Sequence, residues 1–188
     1  MEIYLIVFTF IFILNVIPAF MPPTWIVLAF FYVHYHLLFL PTLLFGVTAA
    51  TSGRVVLALI ARSEFKRFLP HKFLKNYESL GEYLEKNQKF TIPVALGYAF
   101  SPISSNSLFI MAGLSNLDLN MITISFLVGR LFTYSFWITS SRYVSNRIDD
   151  IFIGHFSHTG TIVSAFISLL IIVVIGKINW SKILNKKG

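Results

Sequence analysis

Residues 3–53 contain no Asp, Glu, Lys or Arg. About 18 consecutive apolar residues already suggest a transmembrane helix, and this uncharged stretch is far longer. It predicts an integral membrane protein. Across all 188 residues only 12% are charged and 56% are hydrophobic, against roughly 25% charged in an ordinary soluble domain. At about 150 residues per domain the length allows one unit, with no room for a membrane core plus a separate soluble enzyme. The chain is therefore read as a single membrane domain, 1–188.

An unbroken helix over 3–33 would be about 46 Å long, too long for a hydrocarbon core of about 30 Å unless strongly tilted. Pro18, Pro22 and Pro23 interrupt it, because proline lacks the backbone donor and disfavours helical geometry just before it. The expectation is a helix to about Ile17, then a re-entrant segment, 18–32, with its tip near Met21-Pro22-Pro23-Thr24. Leu37 to Ala61 has the length of a full span, and Gly46, Thr48, Thr51, Ser52 and Gly53 within it are small enough for close helix packing. A first repeat covers 1–61. Residues 62–89 hold Phe73, Leu74, Tyr77, Leu80 and Leu84 at helical spacing among Lys and Glu. That pattern predicts an amphipathic helix on the membrane surface. A second repeat, 90–142, begins with an apolar segment, 90–117, broken by Pro93, Gly97 and Ser101-Pro102-Ile103-Ser104-Ser105-Asn106-Ser107, and continues with a span from Leu119 to Ser141. A last helix and basic tail fill 143–188. The predicted fold class is all-α integral membrane: two inverted-repeat re-entrant hairpins, about four transmembrane helices and one interfacial amphipathic helix.

The net charge of +7 could suggest nucleic acid, but its distribution does not. Of fifteen Lys and Arg, seven lie between Arg62 and Lys89 and four between Lys177 and Lys187, as in cytoplasmic flanks drawn to anionic lipid. No nucleic-acid partner is expected. With 62–89 inside, a second segment that dips and returns brings the four C-terminal lysines inside as well, whereas a crossing segment would place them outside. The positive-inside count favours the dipping arrangement, with the loop and the C-terminus cytoplasmic in a multi-pass protein of a prokaryotic plasma membrane. Met-Glu offers no basic region of a cleavable signal.

The halves share an order of features: Phe20-Met21-Pro22 then Gly53-Arg54, and Phe100-Ser101-Pro102 then Gly129-Arg130. Inverted repeats with broken helices are the architecture of many secondary transporters, with substrate held between the repeats. An arginine inside a span costs at least about 2.5 kcal/mol on insertion scales, which marks Arg54 and Arg130 as functional candidates. The alternatives are snorkelling of Arg54 to the interface and pairing of Arg130 with helix C-terminal carbonyls. No acid in the spans is available to pair with either arginine. That absence favours an anionic ligand such as a phosphate head group, which a guanidinium binds bidentately. Ser104, Ser105 and Asn106 could add hydroxyl and amide donors, or could instead satisfy the broken backbone. Thr24, after Pro22 and Pro23, admits the same two roles.

Asn15-x-x-Pro18-x-Phe20-x-Pro22-Pro23-Thr24, Gly46 with Gly53, Phe100-x-Pro102 and Ala112-Gly113-Leu114 together resemble the DedA or VTT-domain (SNARE-associated) membrane proteins, over roughly 15–142. The resemblance implies two opposed re-entrant hairpins and a role in moving lipids, including polyprenyl phosphates and phospholipids. Its motif positions Asn15, Pro22, Pro23, Thr24 and Pro102 join Ser104, Ser105, Asn106 and the two arginines as candidate substrate-binding positions. Typical members carry acids near the positions of Asn15, Thr24 and Arg54, and arginines near Ala99 and Ser105. This chain has none of those charges, so it lacks that route to proton coupling, and the expectation is a transporter or scramblase of lipid, anionic lipid above all, with passive scrambling as one of its modes.

The membrane lipids themselves are the expected partners, and small-residue spans leave room for a homo-oligomer. Cysteine is absent, which excludes thiolate chemistry. His34-x-His36 and His155-x-x-His158 are weak metal patterns at predicted boundaries, so no metal and no cofactor is expected. Hydrolase and protease motifs are missing, and the chain is not expected to be an enzyme. The competing function is an assembly or interaction protein without transport activity; a small-ion or drug exporter would lack a proton-binding acid.

Overall fold

The computed structural model describes residues 1–18, 23–87, 89, 91–93, 96–97, 105–142, 170 and 173–179. Among the described residues every regular element is helical. They form α1 (Glu2–Val16), α2 (Thr24–His34), α3 (Phe39–Ile60), α4 (His71–Lys86), α5 (Asn106–Leu114) and α6 (Leu119–Ser141). α3 runs on through a π-helical turn, Ala61–Phe65, into Lys66–Phe68, an unbroken helix of 30 residues. This helix and α6 are the two that are long and apolar enough to cross a bilayer.

The prolines act where the sequence places them. Ile17 is extended before Pro18, which stops α1, and Pro23 stands at the N-cap position of α2. The Tyr4 hydroxyl accepts a hydrogen bond from the Leu38 amide at 3.0 Å, so the start of α1 and the end of α2 meet. α1 and α2 thus form a hairpin open at one end of the bundle, with Asn15 and Thr24 bonded near its tip.

α3 leaves that end and reaches the other. There the Arg62 Nη2 donates to the Leu117 carbonyl at 2.6 Å and the Lys66 Nζ to the Asn116 Oδ1 at 2.7 Å. The Asp118 amide donates to Glu85 at the C-terminal end of α4, 3.0 Å away, so the chain departs from α4 and returns on α5 at this same second end. α6 then runs antiparallel to α3, stacking Trp137 on Trp25 and bringing Arg142 over the Tyr32 ring. The Gly176 carbonyl accepts from Asn76 of α4 at 2.7 Å, which puts 173–177 back at the second end.

The two halves repeat with a fixed register. α2 ends at His34 and α3 starts at Phe39; α5 ends at Leu114 and α6 starts at Leu119. His36 and Asn116 both take the left-handed conformation, φ 49° and 56°. The Leu37 amide bonds to the Tyr32 carbonyl and the Leu117 amide to that of Ala112, closing the same helix-terminating motif twice. All of these pairs stand 80 residues apart. Gly53-Arg54 and Gly129-Arg130 keep the shared order of features but fall one helical turn short of this register.

α4 forms as expected, but its apolar stripe is covered by protein. Tyr77, Leu80 and Leu84 are buried, and a Cβ on Gly81 would collide with the Ser115 carbonyl. Beside an apolar core, large apolar side chains also face outward and some polar ones lie inside. Ile124, Phe132 and Phe136, spaced along one side of α6, are each 63% exposed, while Asn15, Ser105 and Asn106 are at most 3% exposed.

Candidate functional site

Gly53 sets the distance between α1 and α3. A Cβ there would lie 2.7 Å from the Phe12 carbonyl oxygen and 2.8 Å from the Asn15 Cβ, so only glycine lets the helices approach this closely. The next residue, Arg54, is 7% exposed and its Nη1 donates to the Asn15 carbonyl at 3.3 Å. That carbonyl belongs to the last turn of α1, where acceptors lack intrahelical partners and the dipole end is negative. The Asn15 Nδ2 donates to the Ile11 carbonyl at 2.8 Å and to the Thr24 hydroxyl at 3.2 Å, and that hydroxyl faces the Asn15 Oδ1 at 3.4 Å. Arg54, Asn15 and Thr24 therefore form one cluster that ties the first hairpin near its tip to α3.

The second cluster is built differently. Arg130, 8% exposed, donates from Nη2 to the hydroxyl of Ser105, the N-cap residue of α5, at 3.3 Å. Its guanidinium lies 4.9 Å from the Phe126 ring centre and 5.4 Å from that of Tyr134. These rings stand one turn before and one turn after it on α6, and their faces attract the cation. Each long helix thus reaches a preceding short helix through one arginine, α3 the end of α1 and α6 the start of α5. Ala50 and Tyr134 lie in one hydrophobic cluster and Ala58 and Phe126 in another, so Arg54 and Arg130, midway between them, stand at the same level of the antiparallel pair α3 and α6, within electrostatic reach of each other, and the two clusters make one centre.

Snorkelling is not what Arg54 does: its side chain is buried against α1. The carbonyl-pairing role considered for Arg130 falls to Arg54 instead, and Arg130 takes a hydroxyl. Both arginines keep a buried Nε with no partner. The Thr51 hydroxyl, one turn before Arg54, is a third buried group without a partner. Sequence reasoning placed Thr51 among the small packing residues; its i, i+3 spacing from Arg54 was the available signal.

Of the other sequence candidates, Asn106 opens α5 and is buried, and Pro23 starts α2, its carbonyl accepting from the Ile26 amide at 2.9 Å. Pro22, Pro102 and Ser104 lie outside the described residues, as do His155 and His158. His34 stacks on Phe30 with ring centres 5.2 Å apart. Among the described residues no three His, Asp or Glu side chains gather into a group able to hold a metal. The whole chain has eight acids, and none falls within α1 beyond Glu2, within α2 or α5, within 39–60 of α3, or within α6. Among the described residues no carboxylate pairs with either arginine, and what the centre offers chemically is donors for an anion. No family model, curated protein or solved structure matches the chain.

Proposed function

We propose that the protein moves anionic, phosphate-bearing lipids, polyprenyl phosphate or phospholipid, across a bilayer. The observation that carries this reading is the pair of buried arginines, one bound to the end of α1 and the other to the N-cap of α5, each with an unused Nε and, among the described residues, no carboxylate partner. An uncompensated buried charge is costly, and a bound anion offsets that cost. Planar guanidinium groups suit phosphate oxygens, and the unused donors are available to them.

A bilayer is supported by the large apolar side chains, such as Phe132 and Phe136, that face outward, while Asn, Ser and Arg lie among the buried residues. α1 and α2, about 22 Å and 16 Å long at 1.5 Å per residue, fall short of a core of about 30 Å. Their hairpin opens and closes at one end, which supports re-entry; non-helical backbone at membrane depth is tolerated where protein buries it. The second end carries Arg62, Lys66, Arg67, Lys72 and Lys177, so positive-inside bias assigns it to the cytoplasm, in a prokaryotic plasma membrane. On this reading the chain is a divergent relative of the DedA/VTT proteins. Without an acid at the centre, lipid moves down its own gradient.

The test is head-group exposure in phosphatidylcholine vesicles holding purified protein and labelled phosphatidate or polyprenyl phosphate. Wild-type protein exposes inner-leaflet label faster than protein-free vesicles, and Arg54→Gln and Arg130→Gln slow it. Background rates for wild type with every lipid would overturn transport and leave the assembly role.

A further inference from the structure

Hydroxyl side chains in these helices follow a common habit. Thr42, Thr48, Ser52, Ser125, Ser135 and Ser141 each donate to a carbonyl three or four residues back, at 2.6–2.8 Å. The bond is open to any helical Ser or Thr and satisfies the hydroxyl locally. Thr51 does not use it. It sits inside α3 at 5% exposure, and its Oγ1 has no partner. A buried polar group left unbonded, when a local partner one turn back is available, calls for an explanation in function.

The neighbours of Thr51 supply one. Three residues apart on a helix, Thr51 and Arg54 share a face. Arg54 has its own unused Nε, and Arg130, within electrostatic reach, has another. Two guanidinium groups already repel each other here. A hydroxyl adds a further donor toward a tetrahedral oxyanion without adding a third positive charge.

We infer that Thr51 is the third donor of the anion site, its hydroxyl bonding an oxygen of a phosphate group held by Arg54 and Arg130. This rests on the anion reading of the centre proposed above. The ligand chemistry is shared by a lipid phosphate and free inorganic phosphate, and the experiment separates them.

Protein is reconstituted in phosphatidylcholine vesicles with acyl-labelled phosphatidate, and dithionite quenching gives the translocation rate. Parallel vesicles measure uptake of radiolabelled inorganic phosphate. Thr51→Val keeps the shape and removes the hydroxyl, Thr51→Ser keeps the hydroxyl, and Thr48→Val, exposed on α3 and bonded to its own helix, is the control. Phosphatidate translocation falls about tenfold in Thr51→Val, the size of one lost bond to a charged partner, returns in Thr51→Ser and is unchanged in Thr48→Val. The Tm of Thr51→Val is equal to or above wild type, because an unbonded buried hydroxyl has been removed.

A wild-type rate in Thr51→Val alongside a loss in Arg54→Gln overturns the role of Thr51 and leaves the arginine site standing. A loss in Thr51→Val that Thr51→Ser does not restore assigns the effect to packing and also overturns it. Loss of inorganic phosphate uptake in Thr51→Val, with no protein-dependent phosphatidate movement, keeps the donor role and replaces lipid by free phosphate. Wild-type rates in both Thr51→Val and Arg54→Gln overturn this inference and the anion reading together.

Discussion

Arg54 and Tyr134 hold the same position in the two repeats, each fifteen residues after the start of its long helix at Phe39 or Leu119. α3 and α6 are antiparallel, and Arg54 lies within electrostatic reach of Tyr134 across them. Arg130 stands one turn earlier on α6, at the position of Ala50 in α3. The charged centre is therefore asymmetric even though the turns that build it repeat closely. One arginine braces the C-terminal end of α1 and the other the N-cap of α5.

The topology has a direct chemical test, since the chain contains no cysteine. Tyr35 lies at the first end of the bundle and Lys72 and Lys177 at the second, all three exposed. With a membrane-impermeant maleimide, single cysteines at Lys72 and Lys177 label from one face and a cysteine at Tyr35 from the other. Labelling of Tyr35→Cys and Lys72→Cys from the same face would contradict the course of α3.

Close helix approach at Gly53 and Gly113 predicts a steep size dependence. A Cβ on Gly113 would meet the Ala58 carbonyl, while one on Gly97 would meet nothing within 4 Å. Gly53→Val and Gly113→Val should each cost about 1–3 kcal/mol through overpacking, read as a lower Tm in detergent. Gly97→Ala should leave stability within about 0.5 kcal/mol of wild type, read as an almost unchanged Tm.

Tyr77 predicts a loss of stability in alkali. Burial pushes its hydroxyl from the ordinary 10 up to about 12, a contact with the Gly176 backbone opposing the shift. A raised value means that the folded protein holds this proton more tightly than the unfolded chain. The contribution is complete below pH 10 and disappears as pH rises through 12. Thermal melts across that window should show a fall in wild type that is smaller in Tyr77→Phe. An identical fall in both would place the loss elsewhere.

Length and hydropathy made α3 and α6 legible in the sequence, and Pro18 and Pro23 made the break between α1 and α2 legible, because proline acts locally. The repeat register was harder. Pro22 and Pro102 are 80 residues apart, in agreement with the turns, but the more conspicuous Gly-Arg pairs pointed to a register one turn away. Asn116, a residue type that tolerates positive φ, was the cue that could have settled it. Periodicity identified the apolar side of α4 but not its cover, since an amphipathic pattern reads alike for lipid and protein. The π-helical turn that follows α3 left no local pattern, and the i, i+3 spacing of Thr51 from Arg54 could place that residue on the face of the arginine but not show that its hydroxyl is unused, which depends on tertiary geometry.

The central claim is that Arg54 and Arg130 together bind a phosphate-bearing lipid. Its most direct test is the Tm of purified protein in a neutral detergent, titrated with phosphatidate or with phosphatidylcholine, for wild type and the Arg54→Gln/Arg130→Gln variant. Ligand that binds the folded state alone raises the Tm with concentration. The expected result is a rise with phosphatidate in wild type, little rise with phosphatidylcholine, and none with either lipid in the double variant. An equal phosphatidate-dependent rise in the double variant, which would place binding on the basic surface around Lys66 and Lys72, would contradict the claim.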